Sequence, residues 1–288
     1  MHKIEKKGDL DAFNKNWLNR DETLYTHWTK GDVTNQIQFA FRNHWEVISS
    51  FIKKGTKNKA KKVLEVGCGR GSLSAYFSDD GFDCTLLDKS DHVIDIAKKI
   101  FKKNDLSASF HVGDVMSLPF EDHTFDATMS IGLLEHFDDV TQPIAEQIRV
   151  LKPGAVFTAY VVPEYKENLQ KDFDWINKIL ETYNTDSGDN HIPKTELFRS
   201  DAGSEKYIPI MEAHGLTEIF SSGMYSVPMI SHSIDFPFSL MNIDAEKAAV
   251  SHFRDILAER KNRHPNCHPW LCDEGYGQAF LICGIKRA

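Results

Sequence analysis

Apolar and polar positions along the chain follow two rhythms in turn. From Thr34 to Gly55, apolar residues recur at helical spacing: Ile37, Phe41, Trp45, Ile48 and Phe51-Ile52. This predicts a helix with Thr34 as its cap and Gly55 as its end. Short apolar runs then read as strands at about 62–67, 83–88, 108–112, 125–131 and Ala155–Val162. Helical patterns fall between them. One covers about 71–79, with Leu73, Tyr76 and Phe77 on one face, and closes at Gly81. A second follows Asp91, with Val93, Ile94, Ala97, Ile100 and Phe101 inward and Lys98-Lys99 and Lys102-Lys103 on its wet side. Another carries Val140, Ile144, Ile148 and Leu151 and stops at Pro153-Gly154. Strands alternating with helices of this length imply a parallel sheet with helices on both faces and right-handed crossovers.

The rhythm breaks after Val162. Residues 163–203 are polar, with one amphipathic piece at Phe173, Trp175-Ile176 and Ile179-Leu180. A helix at about 204–214 ends at Gly215, and a strand follows at about 216–221. An irregular stretch, 223–242, precedes a helix at about 244–261 and a last strand, Gln278–Ile285. The reading is of an N-terminal helical cap segment, 1–55, before a main domain, 56–288. Insertions at 163–203 and 223–275 would form a substrate cap over one sheet edge.

Composition narrows the function classes. A net charge of −8 argues against a nucleic-acid surface, which needs a basic face. The basic tract Lys53-Lys54, Lys57, Lys59 and Lys61-Lys62 reads as a solvated lead-in to the first strand. The 5 cysteines are odd in number and scattered, so a disulfide framework is not expected and a reducing compartment is. The charged start, Met1 to Lys7, lacks an apolar core for a signal peptide, and no run of 18 apolar residues exists to span a membrane. A cytoplasmic protein is expected.

The candidate chemistry begins at Val63-Leu64-Glu65-Val66-Gly67-Cys68-Gly69-Arg70-Gly71. A buried strand breaks into alternate glycines and a helix starts at Ser72. A turn without Cβ atoms can take positive φ and let a ligand lie on bare backbone at a strand's carboxyl end. Pyrophosphate-binding dinucleotide folds use a similar turn. Asp88, about 20 residues past the first glycine and ending the next strand, suits a ribose diol. Then come Gly113-Asp114-Val115, Leu118-Pro119-Phe120, Phe125-Asp126 and Leu151-Lys152-Pro153-Gly154.

With these elements the chain resembles the class I S-adenosylmethionine-dependent methyltransferases of the small-molecule type, over about residues 60–160. The resemblance implies an α/β, Rossmann-like fold: a seven-stranded, mostly parallel sheet, helices on both faces, a helical or irregular substrate cap, and a last strand inserted antiparallel beside the fifth. It implies S-adenosyl-L-methionine as cofactor. It also implies a cofactor site drawn from Glu65, Gly67, Cys68, Gly69, Gly71, Asp88, Lys89, Asp114, Val115, Ser130 and Ile131. Within that set Asp88 would hold the ribose, Glu65 would support the glycine loop, and Asp114 with Val115 would read the adenine. Cys68 would act through its backbone.

The family brings the acceptor to the turn after strand four, here Ser130 to Phe137. Tyr25, Trp28, Glu135 and Tyr225 are candidates to face the substrate. In-line displacement from a sulfonium needs an aligned acceptor, and a base only if the acceptor must lose a proton. His136, His27, His232 and Glu135 are open as that base. The Asn/Asp-Pro-Pro-Tyr motif of enzymes acting on nucleobase amino groups is missing after strand four. The cluster His264 to Cys272 lacks zinc-site spacing and reads as a loop, so no metal is expected. The expected activity is methyl transfer to an O or N atom of a small-molecule acceptor, with no nucleic-acid or membrane partner and with homodimerisation open. Action on a protein or RNA, a non-catalytic binding module and a nicotinamide dehydrogenase are the alternatives.

Overall fold

The computed structural model describes residues 27–57, 59–164, 198–227 and 242–288. Five strands, β1 (Lys62–Val66), β2 (Asp83–Asp88), β3 (Ser109–Val112), β4 (Phe125–Ile131) and β5 (Leu151–Val161), pair in parallel. Three more, β6 (Leu216–Met224), β7 (Leu271–Cys272) and β8 (Ala279–Lys286), join antiparallel. The order is β3-β2-β1-β4-β5-β8-β6-β7. The chain winds outward from β1 in both directions, so a crevice opens at the carboxyl ends of β1 and β4, the switch point where such sheets bind ligands.

Helices α1 (Gln36–Gly55), α2 (Ser72–Asp79), α3 (Asp91–Lys103) and α6 (Ile243–Arg263) contribute to one core, which includes Ile48, Ile52, Leu73, Phe77, Phe101 and Phe253. Helices α4 (Thr141–Arg149) and α5 (Ile208–Ala213) cover the other face through Ile144, Ile148 and Met211 against Phe157 and Phe280. The sheet thus has the α/β architecture expected, with eight strands rather than seven. The added β7 is two residues long, too short to leave a period in the sequence. It pairs with Met224 and Gly223. A Cβ at Gly223 would lie 2.2 Å from the Asp273 carbonyl oxygen, so only glycine admits that approach.

Helix boundaries differ from expectation in places: the helix expected from about 204 opens as a 3-10 turn, Ser204–Lys206, before α5. Asn35, not Thr34, caps α1: its side chain accepts from the Gln38 amide at 2.9 Å, while Thr34 donates its own amide to the Gln38 carboxamide. Helix α4 ends at Arg149, and Leu151 to Gly154 already belong to β5. The β4–β5 register shifts between Phe125 and Ala127, and Gly154 has φ +76°. The Lys-Pro-Gly segment is therefore a strand irregularity, where proline is tolerated, rather than a helix stop.

Helix α1 lies on β5 and carries a buried histidine into an aromatic cluster. His44 is 1% exposed and packs against Tyr160, Tyr225 and Trp270 with ring centroids 4.6, 5.0 and 5.6 Å away. The Trp270 indole N–H donates to His44 Nδ1 at 3.1 Å. An acceptor Nδ1 requires the neutral ring. Burial agrees, lowering the pKa from 6.5 to about 3. The unfolded chain therefore binds more protons between these values. Stability conferred by neutral His44 is present above pH 6.5 and is lost as pH falls toward 3. A His44→Gln variant keeps an acceptor for Trp270 but cannot titrate. Melting temperatures measured from pH 7 to pH 4 should fall more steeply for wild type than for this variant; parallel curves would exclude the effect.

Candidate ligand site at the strand ends

The turn from β1 to α2 is built from backbone. Gly67, Gly69 and Gly71 have φ of +66°, +52° and +71°, a region that costs other residues about 1–2 kcal/mol each. The Cys68 amide donates to Leu87 O at 3.0 Å and the Gly71 amide to Cys68 O at 2.8 Å. Cys68 serves through its main chain; burial pushes its thiol well above the usual range. Gly71 is the N-cap of α2 and has no side chain with which to cap it. Glu65 does so from β1, accepting the Ser74 amide at 3.0 Å. Burial raises the Glu65 carboxyl to about 7, against the opposing Ser74 hydrogen bonds.

Asp88 ties the loop to β2. One carboxylate oxygen accepts the Gly69 amide and the other the Ser90 amide, each at 3.0 Å. Burial raises its pKa, and the backbone hydrogen bonds oppose that shift. A carboxylate has about four lone-pair sites, so each oxygen keeps capacity for a hydroxyl donor. Past β3, Asp114 accepts the Met116 amide at 2.9 Å and pairs with Lys89 at 3.2 Å, joining the ends of β2 and β3. Val115 beside it is buried.

The turn after β4 forms the other wall. Ser130 is buried and its hydroxyl has no hydrogen-bond partner among the described residues; Ile131, its neighbour, points to the opposite face of the sheet. Gly132 (φ +63°) donates its amide to Tyr160 O at 2.9 Å. Leu133 leans over the glycine loop: a Cβ at Gly67 would meet its Cδ1 at 2.8 Å. Glu135 is 1% exposed, burial raises it to about 7, and Oε2 has no partner among the described residues. His136 Nδ1 lies 2.8 Å from Phe198 O. A carbonyl only accepts, so Nδ1 carries the proton. Burial lowers the pKa, and the neutral ring then bears its lone pair on Nε2.

The remaining candidates divide. His27 and Trp28 are buried beside α2, not at the β4 turn. His27 bonds Ser72 Oγ at 2.8 Å and stacks on Phe41 at 4.8 Å, and its carbonyl accepts from Tyr76. Tyr225 is buried with φ +67°, and its hydroxyl hydrogen-bonds that of Tyr160 near the end of β5. Tyr25 and His232, with most of both insertions, lie outside the described residues. The His264–Cys272 segment is a loop running into β7, and no group of His, Cys, Asp or Glu able to hold a metal occurs among the described residues. Sequence reasoning passed over His44, Tyr160, Trp270 and buried Arg70. Arg70, a charged residue between two glycines, left a signal; the aromatic cluster did not, since its members lie far apart in the chain.

The tightness of the turn is testable. A Cβ at Gly71 would lie 2.5 Å from Leu86 Cδ2 and 2.8 Å from Phe101 Cε2, whereas at Gly81 (φ +85°) nothing lies within 4 Å. Gly71→Ala should cost about 2–4 kcal/mol from strain and overpacking. Gly81→Ala should cost about 1–2 kcal/mol from strain alone. Denaturant midpoints compare the two, and equal losses would refute the crowding.

Comparison with known proteins fits this crevice. Residues 64–159 match the family described as "Methyltransferase domain". The chain is 37% identical over 100 residues to norajmaline N-methyltransferase of Rauvolfia serpentina, covering 34% of each chain. It is 26% identical over 233 residues to chloroplastic tocopherol O-methyltransferase of Arabidopsis thaliana, covering 74% of this chain and 64% of that one. The chain thus spans between 34% and 64% of the length of these two curated relatives. A Thermotoga maritima structure described as an S-adenosylmethionine-dependent methyltransferase, possible histamine N-methyltransferase, shares the fold: TM-score 0.51, 16% identity, 87% of this chain and 91% of that one. The donor set suits the cofactor of such domains. The three positive-φ glycines leave bare backbone for the amino-acid end, and Asp88 keeps acceptor capacity for a diol. Residues 64–159 thus carry a methyltransferase domain, on a sheet that shares the fold of a class I S-adenosylmethionine-dependent methyltransferase.

Proposed function

We propose that this protein transfers the methyl group of S-adenosylmethionine to an O or N atom of a small-molecule acceptor. The observation that carries the reading is the crevice itself, with Asp88 and the glycine loop on one side and the Ser130–His136 turn on the other. Curated relatives named as an N-methyltransferase and an O-methyltransferase support both acceptor atoms. The net charge of −8 supports a metabolite over RNA, and five free cysteines fit a reducing cytoplasm. No helix among the described residues is long and apolar enough to cross a membrane.

Bound S-adenosylmethionine supplies a sulfonium-borne, electrophilic methyl. The protein's share is alignment and proton handling. Asp88 would hold the ribose, with the bare glycine loop toward one end of the cofactor and the Lys89–Asp114 pair toward the other. His136 has the better base geometry among the described histidines: its Nδ1 proton is committed to Phe198, so Nε2 is the acceptor. His27 reads as a packing residue between Ser72 and Phe41. Tyr160 and Tyr225, paired near the end of β5, are acceptor-side candidates; Trp28, buried beside α2, and Tyr25, outside the described residues, stay substrate candidates from the sequence.

Asp88→Asn retains one acceptor oxygen for the loop and loses the charge. Calorimetric titration should show about tenfold weaker S-adenosylmethionine binding, and unchanged affinity would remove the ribose role. Incubating the protein with methyl-labelled cofactor and a cell extract should put label in the small-molecule fraction. Label confined to protein or RNA would overturn the acceptor class. With the acceptor in hand, His136→Gln should lower kcat by about 10²–10⁴ with cofactor affinity preserved. A wild-type rate would demote it to scaffold.

A further inference from the structure

A second cavity lies away from the strand ends, between α1 and α6. Its volume is about 380 Å³, the small end of the range for ligand sites. Each helix presents one stripe to it at i, i+3, i+4 and i+7 spacing. From α6 these are Arg254, Leu257, Ala258 and Lys261; from α1 they are Phe39, Arg42, Asn43 and Glu46. Buried Phe39 and Leu257 make an apolar floor. Small Ala258 and short Asn43 stand mid-stripe, where larger side chains would close the gap between the helices.

The rim is basic in an acidic protein. Three cations stand there against one carboxylate, in a chain of net charge −8. Among the described residues their hydrogen bonds go to carbonyls rather than acids. Arg42 donates to Thr29 O and Gly31 O at 2.8 and 2.9 Å. Lys261 donates to Pro265 O and Cys267 O at 2.8 and 3.2 Å, and Arg254 reaches Val33 O at 3.5 Å. These bonds leave the three cations without an acid partner among the described residues. The single acid, Glu46, faces His268 at 3.4 Å.

We propose that this cleft binds a small organic anion with an apolar body, its oxyanion head on the basic rim that Arg254 and Lys261 contribute to and its chain on Phe39 and Leu257. A basic rim above an apolar floor selects for both parts together, since neither inorganic phosphate nor a neutral alkane satisfies both. The site stands apart from the methyl-transfer crevice and does not depend on that reading.

Calorimetric titration of the full chain with octanoate, octyl phosphate and octanol tests it. Octanoate or octyl phosphate should bind saturably, with octanol at least tenfold weaker; the tighter of the two anions identifies the head group. Arg254→Glu, on the exposed side of α6, should weaken the anion at least tenfold, and Lys261→Gln likewise, with the melting temperature and S-adenosylmethionine affinity of each variant as folding controls. Octanol binding as tightly as the anions, anion binding indifferent to both substitutions, or no saturable anion binding at all would overturn the proposal.

Discussion

One constraint organises the molecule: the chain must turn from β1 into α2 without side chains, yet the turn must not be loose. Glycine supplies the conformation and costs backbone entropy. Hydrogen bonds from outside the turn restore order. Asp88 takes the Gly69 amide, Leu87 takes the Cys68 amide, and Glu65 takes the Ser74 amide at the start of α2. The loop is thus defined by its neighbours β1 and β2, while its outer surface stays bare.

Those neighbours contribute two buried acids, Glu65 and Asp88, and the turn after β4 contributes a third, Glu135. Burial raises the pKa of Glu65, Asp88 and Glu135, and Asp88 further raises that of Glu65. An apolar residue at 65 or 88 would be easier to bury, but it could not accept the Ser74 or Gly69 amide. The strand ends therefore hold acceptors at a cost in desolvation. The two sides differ in what the acids meet. Each oxygen of Asp88 accepts one backbone amide and keeps room for a further donor, while one oxygen of Glu135 has no partner among the described residues.

Much of this was legible in the sequence where one local rule governs. Strands β2 and β4 fall at their expected limits because an apolar run bounded by polar residues admits one reading. The glycine loop and Asp88 were legible because their spacing follows from strand and turn lengths. Three features escaped for physical reasons. Lys152-Pro153-Gly154 looks like a helix stop but is accommodated by a register shift with β4, a property of the pair of strands. Strand β7 exists because Gly223 lets the Asp273 backbone approach. The His44 cluster joins α1, β5, the end of β6 and the segment before β7, and no window of sequence contains all four. Asn35 in place of Thr34 is the common one-residue ambiguity of helix starts.

The contact between Leu133 and Gly67 has a mechanical consequence. The side chain rests where any larger residue at 67 would stand, so the floor of one wall of the crevice is the roof of the other. Close packing leaves little slack for sliding. The segment that follows β4 and the bend that follows β1 are therefore geared: a shift in either displaces its counterpart, and whatever settles against the first is felt by the second without a hinge between them.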